Sequence, residues 1–278
     1  MPELPEVETM RRGILGIVGS RIIEIAWPPC SAKPIAIFPD KRRFRARVLK
    51  QPVTAVDRVG KRVVVRLASQ DAIIFEPRMT GLVLVADAPS TAHLRFRMDL
   101  ETGPIPSVWY WDRRGLGNVR LLSPEEQETQ LGSGKLGPDA LATTPEILHE
   151  AYRHSRRAVK VALLDQQRVA GIGNLYASEI LHLAGVHPGK RCDLLKLAHW
   201  ERIHAALLEV LNTAIRYEGS TLSDGTYRNA LNQSGGYQNE HRVYDRAGEL
   251  CRGCGQESIV RIVQAQRSTF YCPKCQKK

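Results

Sequence analysis

No apolar run in this chain reaches the roughly 20 residues that a membrane-spanning helix needs. The first residues also lack the basic segment and apolar stretch of a secretory signal, so we expect no export. In a reducing compartment, six cysteines in 278 residues argue against a disulfide scaffold. Internal repeats and low-complexity tracts are absent from the sequence as well. The length is sufficient for two domains, each with its own core.

Acidic residues are scarce: the chain has 29 Asp and Glu residues against 40 Lys and Arg residues, which gives a formal charge of +11. The deficit is greatest over residues 41–66, where ten bases less the single Asp57 give +9. We call this segment the basic stripe; its bases are Lys41, Arg42, Arg43, Arg45, Arg47, Lys50, Arg58, Lys61, Arg62 and Arg66. Such a stripe suits a polyanion such as nucleic acid. A solvated sheet face and an anionic membrane surface are alternatives, although no amphipathic basic helix accompanies the stripe.

The first nine residues, MPELPEVET, have the opposite character, with three glutamates and no base. One interpretation is a solvated, frayed tail. A second interpretation starts from Pro2, because removal of Met1 before a small residue would leave a free secondary amine. An α-amino group titrates near pH 8, so it is partly neutral and can act as a nucleophile. Glu3 would then serve as general acid and as a counter-charge for a cationic intermediate.

The first half of the chain reads as a short helix followed by many short strands. Val7, Met10, Ile14 and Val18 recur at helical spacing. The predicted strands are RIIEIAW, FRARVLK, KRVVVRLA, DAIIFEP, LVLVA, HLRFRMDL, SVWYWD and NVRLL. Turn signals separate these segments, which indicates an antiparallel sandwich or barrel.

The second half of the chain reads as helical. After a polar linker, Thr144-Pro145 is a helix start with proline in the first turn. Residues 196–218 predict an amphipathic helix that stops at Gly219. Residues 220–242 are polar and irregular, and we interpret them as a candidate mobile loop.

Two cysteine pairs near the C-terminus predict a metal site. Cys251 and Cys254 form one CxxC knuckle, and Cys272 and Cys275 form another. This spacing is typical of a four-thiolate zinc ribbon, in which the metal replaces a hydrophobic core. Two disulfides are the alternative. The cysteines outside this cluster, at positions 30 and 192, are interpreted as ordinary packed thiols.

The segment VAGIGNLYASEIL predicts a tight turn between two helices. Gly171 and Gly173 permit the turn, and Asn174 is placed to cap the second helix. Free amides at a helix N-terminus bind phosphate, so this turn is a candidate clamp on a DNA backbone, with Lys160 on the preceding helix. A plain helical hairpin is the alternative.

Four segments together resemble the formamidopyrimidine-DNA glycosylase family: PELPEVET, LGPDAL, LLDQQRVAGIGNLYASEIL and QRSTFYCPKCQ. They occur in the family's order and span essentially the whole chain. The PELPE form is more similar to the branch for oxidised purines than to the Nei-type branch for oxidised pyrimidines. The resemblance implies a bifunctional glycosylase and AP lyase of base excision repair that removes 8-oxoguanine and formamidopyrimidines. A Nei-like enzyme and a non-catalytic DNA-binding zinc protein are the alternatives.

The resemblance also implies an α+β fold with damaged double-stranded DNA between its halves. The expected domains are an N-terminal catalytic antiparallel β-sandwich with a leading helix (1–123) and a linker (124–144). A helix–two-turn–helix domain with a lesion-capping loop (145–242) and a zinc-finger hairpin (243–278) follow. The family further implies one structural Zn²⁺, a monomer without membrane contact, and a cytoplasmic, nucleoid-associated location.

The family's site residues have matches in this chain. Pro2 matches the amine nucleophile, Glu3 the catalytic acid, and Lys61 the lysine that reaches the lesion strand. Arg267 completes the catalytic set, and Glu6 matches a second carboxylate in the pocket. The matches to phosphate ligands beside the flipped nucleotide are Lys160, Asn174 and Arg267.

The family's wedge residues match Met79, Arg114 and Leu116, but the surrounding motifs differ. Residues 76–81 read EPRMTG where the family usually has HLGMSG, and residues 112–117 read DRRGLG where it has DPRRFG. His93 lies about two positions from the histidine that the family places on phosphate. We expect these changes to affect lesion and opposite-base preference more than the reaction type.

Overall fold

The structure, a computed structural model, describes residues 2–101, 103–132 and 134–277. The chain divides into two units, which we call the N-terminal unit (Met1–Lys135 with Ile215–Gly236) and the helical unit (Leu136–Ala214 with Tyr237–Lys278). Within the described ranges, no helix has the length and apolar character needed to cross a membrane.

Short strands form two sheets in the N-terminal unit. The strands are β1 Ile22–Ala26, β2 Ala36–Phe38, β3 Val53–Val59, β4 Arg62–Leu67, β5 Ala72–Glu76, β6 Gly81–Leu84, β7 Leu94–Leu100, β8 Ser107–Asp112 and β9 Asn118–Leu122. One sheet has the order β1-β7-β8-β6 and the other the order β2-β9-β5-β4-β3. Neighbouring strands are antiparallel except for β2, which runs parallel to β9.

The two sheets share one apolar core, which makes the unit a sandwich. Phe75 of β5 meets Phe96 of β7 edge-on, with ring centroids 5.6 Å apart, so side chains of both sheets touch. Helix α1 (Leu4–Gly13) adds Val7 and Met10 to the same buried cluster. The predicted antiparallel sandwich with a leading helix is confirmed.

Strand β5 is buried along its whole length because both of its faces are covered. Ile73 and Phe75 belong to the sandwich core, whereas Ile74 belongs to a second cluster against which Leu131 packs. Leu131 ends helix α3 (Pro124–Leu131), which lies in the segment predicted as a linker. Ser123 caps the helix by accepting the N–H of Glu126, so the polar segment begins as a helix, and its role as a linker stays a prediction.

The predicted strand FRARVLK is wrong, because Lys41–Val48 form helix α2. Asp40 caps this helix by accepting the N–H groups of Arg42 and Arg43, each at 3.1 Å. The buried side chains of the helix are Phe44 and Val48, spaced four apart as on one helix face. The alternation of arginine with smaller residues concealed this spacing.

Strands β2 and β3 are absent from the sequence prediction. In β3 the buried residues Val53 and Val56 are three apart, because a register shift lies between Val53 and Ala55. A bulge of this kind removes the alternation by which a strand is recognised. Strand β2 is only three residues long, too short to show a pattern.

The helical unit contains most of α7 and a C-terminal hairpin. Thr144 caps α4 by accepting the N–H of Ile147, as expected from Thr-Pro. Tyr152 and Trp200 stack at 5.2 Å in its core. The elements are α4 Pro145–Tyr152, α5 Val159–Leu163, α6 Asn174–Leu183, α7 Leu197–Arg216, β10 Val260–Gln264 and β11 Arg267–Tyr271.

The segment after α7 belongs to the N-terminal unit up to Gly236, whereas the sequence grouped residues 220–242 with the helical domain. Backbone hydrogen bonds explain the difference, since Ala230 accepts the N–H of Val85 at 2.9 Å. The segment between Tyr217 and Gly236 carries no helix or strand, in agreement with its irregular sequence. The proposed domain boundaries and the mobility of this loop stay predictions.

Candidate functional site

The first residues of the chain are packed, not frayed. Residues 2–10 are buried, and Glu3 immediately precedes α1 in an extended conformation. The N–H of Glu3 donates to Oε2 of Glu6 at 2.8 Å, which fixes the backbone next to Pro2. The structure therefore brings Pro2, Glu3 and Glu6 together at the start of one helix.

Glu6 also holds the segment that follows α7. Its Oε1 accepts the N–H of Ser220 at 2.9 Å. At Gly219, φ is +81°, and an added Cβ would lie 2.8 Å from Glu6 Oε1, so both backbone and space require glycine there. Burial, with the charge of Glu6, raises the pKa of Tyr227 well above its usual value. The protonated Tyr227 hydroxyl donates to the carbonyl of Glu218 at 2.9 Å.

Glu8, the third glutamate of the opening segment, lies in an ion cluster. Arg11 approaches it at 2.9 Å, Arg12 at 2.8 Å and Arg58 at 3.2 Å. Burial opposes ionisation, but the hydrogen bonds and charges of these arginines outweigh it and hold the pKa of Glu8 below its usual value. The role of Glu8 is thus to fix α1 against β3.

Lys61 lies in the tight turn between β3 and β4. Gly60 enters the turn with φ of +56°, and Val59 pairs with Arg62 across it. Arg58 donates to the carbonyl of Gly60 at 3.0 Å, so its guanidinium links this turn to Glu8. The side chain of Lys61 is half-buried. Its contact with a lesion strand stays a prediction.

The predicted wedge residues lie on two segments, one with Met79 and one with Arg114 and Leu116. The carboxylate of Asp112 binds both segments. Asp112, fully buried, accepts the N–H of Arg114 at 3.1 Å and that of Gly117 at 2.8 Å, and also binds the hydroxyl of Thr80. The two segments thereby present their wedge side chains at the surface. Met79 is 40% exposed, Leu116 is 38% exposed, and Arg114 is exposed as well.

His93 packs on the sheet beside these segments. It ends a short 3-10 helix, Thr91–His93, and its ring meets Trp111 edge-on at 5.6 Å. The ring is half-buried. This packing gives His93 a structural role, and its contact with DNA stays a prediction.

The basic stripe is partly neutralised by acids from other segments. Arg47 binds Asp71 at 2.8 Å, and Arg62 lies 3.4 Å from Glu76. Arg58 pairs with Glu8, whereas Arg66 pairs with Asp57 of the stripe itself, which the count of +9 already includes. The exposed bases of the stripe are Lys41, Arg42, Arg43, Arg45 and Lys50 on or after α2, together with the half-exposed Arg66. The surface charge is therefore smaller than the sequence count of +9 indicates.

In the helical unit, two predicted phosphate ligands touch. Lys160 of α5 is fully buried, and its ammonium donates to Oδ1 of Asn174. Asn174 Nδ2 donates to the carbonyl of Ser268 at 3.0 Å, next to Arg267. Lys160 and Asn174 thus meet where α5, α6 and the hairpin join, and Arg267 is the chain neighbour of the contacted Ser268. The prediction that Asn174 caps α6 is wrong: Gly173 is the N-cap, and the amide of Asn174 is used by Lys160 and Ser268.

Gln166 is a positioning residue that the sequence analysis missed. Its side chain donates to the carbonyl of Ile172 at 2.8 Å and accepts the N–H of Gly171 at 2.9 Å, closing the turn before α6. Glutamine in a polar turn gives no specific sequence signal, so only the fold reveals this role. Arg267, by contrast, is exposed at the start of β11, after a turn in which Ala265 and Gln266 both have positive φ.

The four predicted metal ligands form one cluster, whose Sγ atoms all lie within 4.8 Å of one another. Cys251 Sγ is 3.8 Å from Cys275 Sγ, and Cys254 Sγ is 3.7 Å from Cys272 Sγ. A tetrahedron with Zn–S bonds of about 2.3 Å separates its sulfurs by about 3.8 Å, so the residues fit zinc. All six cysteines are free of disulfides, which excludes the disulfide alternative.

Comparison with known protein families gives three matches along the chain. The formamidopyrimidine-DNA glycosylase N-terminal domain matches residues 1–119, and the H2TH domain of the same enzymes matches residues 136–226. A zinc finger found in FPG and IleRS matches residues 248–278. The zinc finger is thereby established, with one structural zinc held by the four cysteines.

Curated relatives match over their full length. The formamidopyrimidine-DNA glycosylase of Chloroflexus aurantiacus is 38% identical, over 99% of this chain and 98% of the relative. That of Geobacillus kaustophilus is 37% identical, over 100% of both chains. That of Bacillus subtilis is 34% identical, again over 100% of both. These relatives are bacterial proteins.

Solved structures agree in fold. A Lactococcus lactis FPG variant in complex with Fapy-dG DNA has a TM-score of 0.87 at 33% identity, covering 100% of both chains. MutM in complex with carbocyclic 8-oxo-G DNA has a TM-score of 0.86 at 32% identity, with the same coverage. These matches define a class of zinc-finger DNA glycosylases with an H2TH domain. The chain belongs to the formamidopyrimidine-DNA glycosylase family.

Proposed function

We propose that this protein is a bifunctional glycosylase and AP lyase that removes oxidised purines from double-stranded DNA through a Schiff base on Pro2. The observation that carries the proposal is the pair of hydrogen bonds on Glu6. One carboxylate oxygen holds the N–H of Glu3, and the other holds that of Ser220. The start of the chain and the proposed lesion-capping segment are thus fixed to each other inside the N-terminal unit.

The chemistry begins with the neutral secondary amine of Pro2. Its lone pair attacks C1′ of the damaged nucleotide, the bond from C1′ to the base breaks, and the base leaves with the proton given up by the amine. Glu3 protonates the ring oxygen O4′ as the C1′–O4′ bond breaks, which leaves an iminium between Pro2 and the opened sugar. The iminium withdraws electrons and acidifies C2′–H, so loss of this proton expels the 3′ phosphate. A second elimination expels the 5′ phosphate. Glu3 supplies and accepts protons in these steps, and the nearby carboxylates stabilise the cationic centre.

The other site residues hold the nucleotide outside the stack. Extrusion of a base costs a few kcal/mol, which contacts to the DNA backbone must offset. We assign Lys61 to the lesion strand, and Lys160, Asn174 and Arg267 to the flanking phosphates. The wedge residues Met79, Arg114 and Leu116 fill the vacated space, with His93 near them.

The proposed substrates are 8-oxoguanine and formamidopyrimidines. The PELPE start supports this choice, as do relatives that bind Fapy-dG and 8-oxo-G DNA. Duplexes with 8-oxoguanine and with thymine glycol test it, since the protein should cut the first faster. Faster cutting of thymine glycol would assign the protein to the Nei-like alternative. We further propose that the enzyme acts as a monomer on nucleoid DNA in the cytoplasm.

Borohydride trapping tests the nucleophile, because it reduces the iminium to a stable amine and links protein to DNA. With Met1 removed, the protein should be trapped on lesion and abasic DNA, and a form that retains Met1 should not. Pro2→Gly should weaken trapping, and Glu3→Gln should bind lesion DNA but turn over poorly. A correctly processed protein that is trapped on no lesion, abasic sites included, would refute the role of Pro2 and favour a non-catalytic DNA-binding protein.

A further inference from the structure

Helix α6 contacts the zinc finger through two side chains on one face. Glu179 is fully buried and accepts the backbone N–H groups of Arg242, Val243 and Tyr244 at 2.7–2.9 Å. His182, one turn further along, places Nε2 at 3.3 Å from Sγ of Cys251. The first contact holds the chain that enters the zinc finger, and the second reaches a metal ligand directly.

The chemistry of the cluster fixes the direction of the second contact. A cysteine bound to zinc is a thiolate, which carries no proton and can only accept a hydrogen bond. Nε2 of His182 must therefore carry the proton, since the other tautomer would turn a lone pair toward an anion. Nδ1 is then an acceptor; it is buried and has no hydrogen-bond partner among the described residues. The structure thus favours one tautomer.

The surroundings of the ring strengthen this hydrogen bond. His182 is only 7% exposed, so water does not compete for the thiolate at this position. The knuckle backbone lies against the ring, because a Cβ added at Gly253 would be 3.5 Å from Cε1 and 3.7 Å from Nε2 of His182. Four thiolates around one divalent ion leave net negative charge, which a donor on Cys251 disperses.

We propose that His182 is an outer-sphere positioning residue of the zinc centre, which donates its Nε2 proton to the Cys251 thiolate and strengthens zinc retention. Outer-sphere partners of metal ligands typically contribute 10–100-fold in metal affinity. The same helix begins with Asn174, which contacts the hairpin at Ser268. Helix α6 therefore holds both the zinc-binding knuckle and the hairpin that presents Arg267. The proposal concerns zinc retention and is independent of which lesion is cut.

Competition for zinc against a coloured chelator tests the proposal without any DNA. His182→Phe keeps an aromatic ring and removes the donor, so zinc should bind about 10–100-fold more weakly. His182→Gln offers an amide N–H close to the position of Nε2 and should stay within about threefold of wild type. His204→Phe is the matched control, because it removes a histidine hydrogen bond in the same unit, the 2.7 Å bond between His204 Nε2 and the Thr143 carbonyl. It should leave zinc affinity unchanged.

Two further measurements separate this role from simple packing. In the metal-free protein, His182→Phe should shift the midpoint of urea unfolding no more than the control His204→Phe does. Long-range ¹H–¹⁵N NMR of the zinc-loaded wild type should show a proton on Nε2 of His182, a result that needs no variant. An Nδ1 proton, a His182→Phe affinity within threefold of wild type, or equal losses for the Phe and Gln variants would each overturn the proposal.

Discussion

Glu6 accepts the backbone N–H of Ser220 at 2.9 Å, although 214 positions separate the two residues. The other oxygen of the same carboxylate accepts the N–H of Glu3 at 2.8 Å. A single side chain therefore sets the distance between the start of the chain and the segment that follows α7. Both contacts are buried, so neither backbone donor can turn to water instead.

Glu6→Gln should loosen the segment 217–236. The amide group can accept from only one of the two backbone donors, and the other is left unsatisfied at a cost of about 1–3 kcal/mol. Proteolytic cleavage within this segment should become about tenfold faster, because local opening is more frequent. Glu101→Gln is the control, since Glu101 is 55% exposed and pairs with Arg21 at the surface. Equal rates of cleavage within this segment in Glu6→Gln and Glu101→Gln would contradict the assigned role of Glu6.

Glu8 should make the protein sensitive to acid. The folded pKa of Glu8 lies below its usual value of about 4.5, so the stabilisation is present above that pH and is lost as the pH falls through the folded pKa. Glu8→Gln should lower the free energy of unfolding by about 2 kcal/mol at pH 7. In urea titrations the difference from wild type should shrink at pH values below 4.5. A difference that is independent of pH would exclude the ion cluster as its cause.

The fold was predictable where the burial pattern is local and regular. Strand β7 shows apolar alternation in its sequence, β4 is a short run of buried valines, and Thr144-Pro145 marks the start of α4 by its own chemistry. The helix α2 was not predictable from alternation, because its cap at Asp40 decides the structure. Likewise, the bulge in β3 removes the period on which strand prediction depends.

The candidate site was predictable as a set of residues but not as a set of contacts. Resemblance identified Lys160 and Asn174, yet the hydrogen bond between them and the link to Ser268 depend on tertiary packing. The hydrogen bond between Glu6 and Ser220 joins segments that are distant in sequence, and no local pattern in either segment predicts it. The charge of the basic stripe was overestimated because acids outside it, such as Asp71 and Glu76, pair with its arginines.

Loss of one zinc ligand should abolish metal binding and weaken DNA binding. Cys272→Ser removes a thiolate from the cluster, and the hairpin that carries Arg267 then loses the metal that replaces its core. Elemental analysis should give one zinc per chain for wild type and much less for the variant. Cys30→Ser is the control, because Cys30 lies outside the cluster and binds the Ala92 carbonyl. A zinc-free wild type after careful purification would refute the metal assignment.

Arg267 should contribute to DNA affinity through phosphate charge, not through base recognition. Its guanidinium is exposed at the end of the hairpin turn, beside the Ser268 carbonyl that binds Asn174. Each phosphate neutralised on duplex DNA adds about −0.9 to the slope of log affinity against log salt. Arg267→Ala should therefore make this slope shallower by about 1. It should also weaken binding to damaged and to undamaged duplexes by the same factor. Arg153→Ala, which removes an exposed arginine paired with Glu150 on α4, should leave the slope unchanged. Equal slopes for wild type and Arg267→Ala, or a loss confined to the damaged duplex, would show that Arg267 acts other than on phosphate.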